Sequence, residues 1–270
     1  MRLGKARRFG IPARRCYNTR MESASFDRRE KPPKVLFKVT LMRHEKPFYQ
    51  DVGHDLTPEG VERATQKGKD MRDSGAISDE DELYLVHSPV ARAKGTLDFV
   101  AEGAGLEHMP KHSIDQLRKS DFVDYDAFMA RVAELNHDQE MIAKDHYTHP
   151  MHADGSVIEP HAHKKERLYR ALEYLTRWLE RRAPGDRTPH VIAVSHFEVI
   201  THILDDVFGM ENLGRYNAPG FGESIALEAR ETGDKDKILL KVTFDGQTRE
   251  AYFDRAHRSI EPVPASEHGL

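Results

Sequence analysis

This 270-residue chain has a single cysteine, Cys16, so it builds neither an internal disulfide framework nor a cysteine-based zinc site. It has no apolar run near the roughly 18 residues that a membrane-spanning helix requires. It lacks an excess of either charge. The 45 acidic and 41 basic residues leave a net charge of −4, which argues against nucleic acid as the main partner. What remains is a 38% hydrophobic, 32% charged composition, that of a globular chain long enough for one large α/β domain or two small ones.

Acidic residues are also missing from the first 21 positions, where Arg2, Lys5, Arg7, Arg8, Arg14, Arg15 and Arg20 fall. The segment has no apolar centre for a secretory signal. Residues 1–33 read as a basic, disordered extension ending at Lys31-Pro32-Pro33. A solvated tail is the expected role, and targeting to an organelle or an anionic surface is the alternative. The expected location is cytoplasmic, or organellar if the tail is an address.

Residues 35–42 form a short apolar run rich in β-branched side chains, which reads as a buried strand ending at Arg43-His44. Thr57-Pro58-Glu59 is a helix start: a cap, a proline at the first helical position and an acid. Val61, Ala64, Gly68 and Met71 follow at helical spacing and give it one packing face. A second strand at 83–86 leads through His87-Ser88-Pro89 into a helix over about 90–102, with Arg92 in its first turn. Residues 122–142 read as helical and 146–161 as loop, because Pro150, Gly155 and Pro160 interrupt them. A long amphipathic helix is expected over 164–182, with Trp178 as packing, then a strand over 190–194 ending at Ser195-His196. A helix over 198–208 and strands at 224–229, 238–244 and 250–253 complete the reading. Alternating strands and helices predict an α/β fold with a mainly parallel sheet and helices on both faces. Ligands of such sheets bind beyond the strand C-termini, where Arg43, His44, His87, Ser88, Ser195 and His196 all fall.

Those groups suit a phosphoryl group. Its charge spreads over three oxygens during transfer, and arginine forks and helix N-termini supply fixed donors for them. A neutral histidine can act as the nucleophile. The motifs Leu41-Met42-Arg43-His44, Asp55-Leu56-Thr57-Pro58-Glu59-Gly60, Ser88-Pro89-Val90-Ala91-Arg92-Ala93 and Val194-Ser195-His196 follow in order, each in its expected strand or helix context. In this the chain resembles the histidine phosphatase superfamily, which includes phosphoglycerate mutases, fructose-2,6-bisphosphatases and broad phosphatases.

The resemblance implies a three-layer α/β/α sandwich over residues 34–256, with an insertion at about 110–162 and a tail at 257–270. It implies that His44 is the nucleophile, that Arg43, Arg92 and His196 clamp the phosphate, and that catalysis uses no cofactor and no metal. The expected partner is a phosphorylated small molecule or a phosphoprotein. Glu45, Lys46 and Ser88 are candidate substrate contacts by position, as is Tyr49. His54 and Asp55 read as turn residues, although their loop could rim the pocket.

Two positions depart from the family. A small residue usually follows the Arg-His pair, and here it is Glu45, expected to face outward, to orient Arg43 or Lys46, or to select a cationic substrate. The mutase-like branch carries its acid in a Leu-x-Glu segment, and the comparable stretch here is Leu117-Arg118-Lys119. A lysine is a poor proton donor near neutrality, since its unshifted pKa is about 10.4. Glu198, Asp121 and Asp124 are then the candidate acids. Lys119 favours a phosphatase over a mutase; a phosphohistidine protein phosphatase, which lacks the acid, and a non-catalytic phosphate-binding module stay open. His137, His146, His149, His152, His161 and His163 crowd the middle of the chain and are expected on a loop surface rather than around a metal.

Overall fold

The computed structural model describes residues 34–50, 52–182, 186–209 and 219–264; the basic N-terminal extension lies outside them. Strand β1 (Val35–Arg43) sits in the middle of an eight-stranded sheet. Three strands join it on one side in parallel: β2 (Asp81–His87), β3 (Lys111–Ser113) and β4 (Thr188–Ser195), in the order β3-β2-β4-β1. On the other side β5 (Ser224–Glu231), β6 (Lys237–Phe244), β7 (Gln247–Asp254) and β8 (Ser259–Pro262) continue it antiparallel. The expected parallel sheet is thus the half that carries the candidate site. The final strand β8 was not anticipated, and the sheet runs past residue 256.

Side chains on a strand alternate between faces. Phe37, Val39 and Leu41 of β1 and Val191 and Ala193 of β4 enter one apolar core, while Met42, Ile192 and Val194 enter the other. Helices α1 (Pro58–Asp73) and α2 (Ala91–Gly103) cover the second core. The long helix α6 (His161–Arg182) and α7 (Phe197–Phe208) cover the first. Helices on both faces complete the three-layer α/β/α arrangement expected from the sequence.

Helix α1 starts as its sequence dictates: the Thr57 hydroxyl accepts the Gly60 amide at 3.1 Å and Pro58 opens the first turn. Its buried face is Gly60, Ala64, Gly68 and Met71, with Val61 only half-buried. Small residues are required there because α1 and α2 touch backbone to backbone: a Cβ on Gly68 would lie 2.0 Å from the Val100 carbonyl oxygen.

The middle of the chain departs from expectation. The single helix expected over 122–142 is two, α3 (Tyr125–Glu134) and α4 (Gln139–Thr148), broken where Asn136 and His137 take positive φ values of 51° and 55°. The expected loop over 146–161 holds the end of α4 and a short α5 (Met151–Asp154). Pro150 starts that turn and Gly155, at φ 74°, ends it, so residues that read as breakers serve as caps. Among the described residues no helix is long and apolar enough to cross a membrane.

Candidate active site

Register brings three strand ends level. Arg43 of β1 pairs with Ser195 of β4, and His87 of β2 with Val194. Beyond the last pairs, the His44 amide donates to the Ser195 carbonyl and the Ser88 amide to the Val194 carbonyl, each at 2.9 Å. Arg92 enters from the first turn of α2, and His196 is the cap residue of α7. Arg43, His44, Ser88, Arg92 and His196 are all buried.

One backbone contact fixes the tautomer of His44. Its Nδ1 lies 2.8 Å from the carbonyl oxygen of Glu45, which only a protonated Nδ1 can satisfy. The lone pair is thereby assigned to Nε2. Arg92 Nε donates to that atom at 3.3 Å, placing a guanidinium where a phosphoryl oxygen would arrive. Burial, then the charges of His196, Arg43 and Arg92, hold the His44 pKa well below its usual value, so the ring is neutral near pH 7. The His44 and His196 ring centroids are 5.1 Å apart.

Each clamp group is itself held. Arg43 donates through Nη1 to the Pro219 carbonyl at 2.8 Å and lies 3.9 Å from the Phe221 ring centroid. Burial lowers its pKa to about 10, which leaves it cationic at neutrality. Asp55 is buried behind Arg92, with Oδ2 3.8 Å from Nη1. His196 Nε2 lies 2.9 Å from Ser88 Oγ. Burial, then the charges of Arg92, Lys119 and Arg43, depress the His196 pKa as well.

The remaining candidates separate. Glu45 does not face outward: it is buried, its Oε2 lies 3.4 Å from Arg63 Nε, and its carboxylate also accepts a hydrogen bond from the Lys46 backbone N–H. Lys46 is exposed and 3.5 Å from Glu59. Ser88 is committed to His196, so it positions the clamp. Tyr49 is exposed, with its ring centroid 5.7 Å from the Arg92 guanidinium carbon. His87 is buried and bonds back to the Ser88 carbonyl at 2.7 Å.

Of the three candidate acids, Asp124 caps α3 by accepting the Ala127 amide at 2.9 Å. Asp121 is exposed and gripped by Arg118 at 2.6 Å, and that hydrogen bond keeps its carboxyl below the usual range. Glu198 is half-buried and accepts the Ser120 amide at 3.1 Å, and its charge reaches Arg43.

Asp55, Thr96 and Phe221 were missed as supports of the site. Thr96 Oγ1 accepts the Glu45 amide at 2.9 Å. No spacing in the sequence links these residues to the strand end at His44.

Gly222 closes the far side of Glu45. Its φ is +74°, and a Cβ there would lie 1.8 Å from Glu45 Oε1. Gly222→Ala is therefore expected to lower the unfolding free energy by about 2–4 kcal/mol, from backbone strain and displacement of a buried acid. Urea denaturation measures this; an unchanged midpoint would contradict the packing of Glu45 against Gly222.

Comparison with known proteins agrees with this geometry. The pattern described as "Histidine phosphatase superfamily (branch 1)" matches residues 39–225. Among curated proteins none matches this chain by sequence. Among solved structures, phosphoglycerate mutase from Bacillus anthracis str. Sterne is similar in fold at 15% identity and a TM-score of 0.52, covering 86% of this chain and 93% of its own. Mycobacterial glucosyl-3-phosphoglycerate phosphatase is similar at 14% identity and a TM-score of 0.53, covering 77% of this chain and 97% of its own. With Arg43, His44 and His196 at the ends of adjacent parallel strands, Arg92 in the first turn of the helix beside them, and the family pattern over most of its length, the chain belongs to the histidine phosphatase superfamily.

Proposed function

We propose that this chain hydrolyses phosphomonoesters through a phosphohistidine on His44. The observation that carries the reading is the Nδ1 contact to the Glu45 carbonyl, which leaves Nε2 unprotonated beside the Arg92 guanidinium. Nε2 attacks phosphorus as the ester P–O bond breaks, and Arg43, Arg92 and His196 offset the charge on the phosphoryl oxygens. Glu198, protonated, gives its proton to the leaving alcohol. As carboxylate it then takes a proton from the water that attacks the phosphohistidine, returning free His44 and inorganic phosphate. The scheme needs no metal and no cofactor. The substrate is proposed as a phosphorylated small molecule or a phosphoprotein.

Glu198 is preferred because its charge, unlike that of Asp121 or Asp124, acts on Arg43, while Asp121 is held by Arg118 and Asp124 caps a helix. Glu198→Gln is expected to cut kcat on an alkyl phosphate by about 10²–10⁴-fold and far less on an activated aryl phosphate, whose leaving group needs no proton. Equal losses on both substrates would remove Glu198 from the role. The overall reading is tested with a labelled phosphoester quenched in alkali, where phosphohistidine survives. Label on His44 followed by free phosphate is expected. Label delivered to a second substrate oxygen would mark a mutase, and no label with no phosphate release would leave only a binding module.

A further inference from the structure

We propose that His146, His152 and His161 form a binding site for a divalent transition-metal ion, with Zn²⁺ as the fitting probe, outside the catalytic pocket. The three rings come from three elements, α4, α5 and α6. One ring nitrogen from each lies within 4.8 Å of the other two. Nitrogens bound tetrahedrally to zinc at about 2.0–2.1 Å sit roughly 3.4 Å apart, so closure needs only side-chain movements on the order of 1 Å.

The surroundings fit a ligand. His146 and His152 are buried and His161 is half-buried, so none is an ordinary surface histidine. His152 Nδ1 is buried with no hydrogen-bond partner. His202 of α7, its ring centroid 5.7 Å from that of His161, likewise buries an Nε2 without a partner and is a candidate fourth ligand. Asp145 Oδ2 lies 3.7 Å from His152 Nε2, the carboxylate-behind-imidazole contact that orients metal-binding histidines. A cavity of about 60 Å³, lined by Asp145, His146 and His152 but by neither His161 nor His202, borders the cluster on one side.

The donor set selects the class of ion. Neutral imidazoles without a thiolate suit Zn²⁺, Co²⁺, Ni²⁺ or Cu²⁺ and are poor ligands for Mg²⁺ or Ca²⁺. One charge opposes binding: Lys164 of α6 is buried, and its charge reaches all four histidines. The bound ion would tie α4 and α5 to the long helix α6. The same cavity is also lined by Phe197 and Glu198, which follow His196, so the tie would stiffen one wall beside the catalytic pocket.

The test is binding, and it stands apart from the phosphatase reading. Zn²⁺ is titrated into the metal-stripped full chain. One ion per chain is expected, retained in His44→Asn, lost in His152→Gln/His161→Gln, and bound at least tenfold more tightly in Lys164→Met. Because the double variant risks misfolding, Co²⁺ is also added to His44→Asn, where the visible bands of a low-coordinate nitrogen site are expected. Absence of bound Zn²⁺, loss of the ion in His44→Asn, full retention in a folded double variant, or a cobalt spectrum of the octahedral aquo type would each overturn the proposal.

Discussion

His44→Asn is expected to lower turnover of any phosphomonoester by about 10⁴-fold or more and to abolish alkali-stable phosphoprotein. Asparagine keeps roughly the imidazole's bulk near the ring, so the pocket does not collapse. It offers no nucleophilic nitrogen, and the two-step route is lost. The clamp survives, since Arg43 is held by the Pro219 carbonyl and Phe221, Arg92 is backed by Asp55, and His196 is held by Ser88. Phosphate should therefore still bind, separating loss of chemistry from loss of the site. Residual turnover above about one hundredth of wild type would mean that water attacks directly and that His44 is a clamp residue.

The second large effect is on stability. Seven histidines have pKa values lowered by burial: His44, His146, His152, His161, His190, His196 and His202. In the unfolded chain each takes up a proton near pH 6.5, whereas in the fold it stays neutral to lower pH. The stability they give is complete above about pH 7. It drains as pH falls through 6.5 towards the folded values, about 4 for His152 and His161 and about 3 for His202. Each deeply buried ring costs up to about 1.4 kcal/mol per pH unit in that window. Counting only His44, His146, His196 and His202, the slope reaches roughly 5 kcal/mol per pH unit, comparable to the low end of a domain's whole stability. A steep fall in the urea midpoint between pH 7.5 and 5.5 is expected. A flat midpoint over that range would show that these rings are protonated in the fold or reached by water.

The parts of this structure legible in the sequence are those set by local pattern. The β-branched run before Arg43, the cap at Thr57-Pro58 and the apolar strand before Ser195 mark where elements begin or end, and Arg43, His44 and His196 sit at two of those marks. What was not legible depends on contacts between distant segments. Asp55 looked like a turn residue because nothing in the sequence ties it to Arg92. The direction of Glu45 stayed open because Arg63 and Gly222, which enclose it, are remote from it in sequence. The histidines of 146–161 looked like loop because Pro150 and Gly155 are read as breakers, yet both also start and stop short helices. Burial of a polar side chain carries no periodic signal, so the acid at 45 and the histidine cluster emerge only in three dimensions.

One backbone contact has a wider consequence. The His44 amide bonds the Ser195 carbonyl, so His44 and His196 hang from adjacent, register-locked strands. The spacing of the reacting groups is thus a property of the sheet, while the residues at the pocket's edge, such as Tyr49 and the 118–124 segment, belong to connecting chain. Under the proposed function, changes in those connections would alter the choice of phosphorylated compound without retuning the distance between the two histidines. Selection and chemistry would then rest on separate parts of the fold.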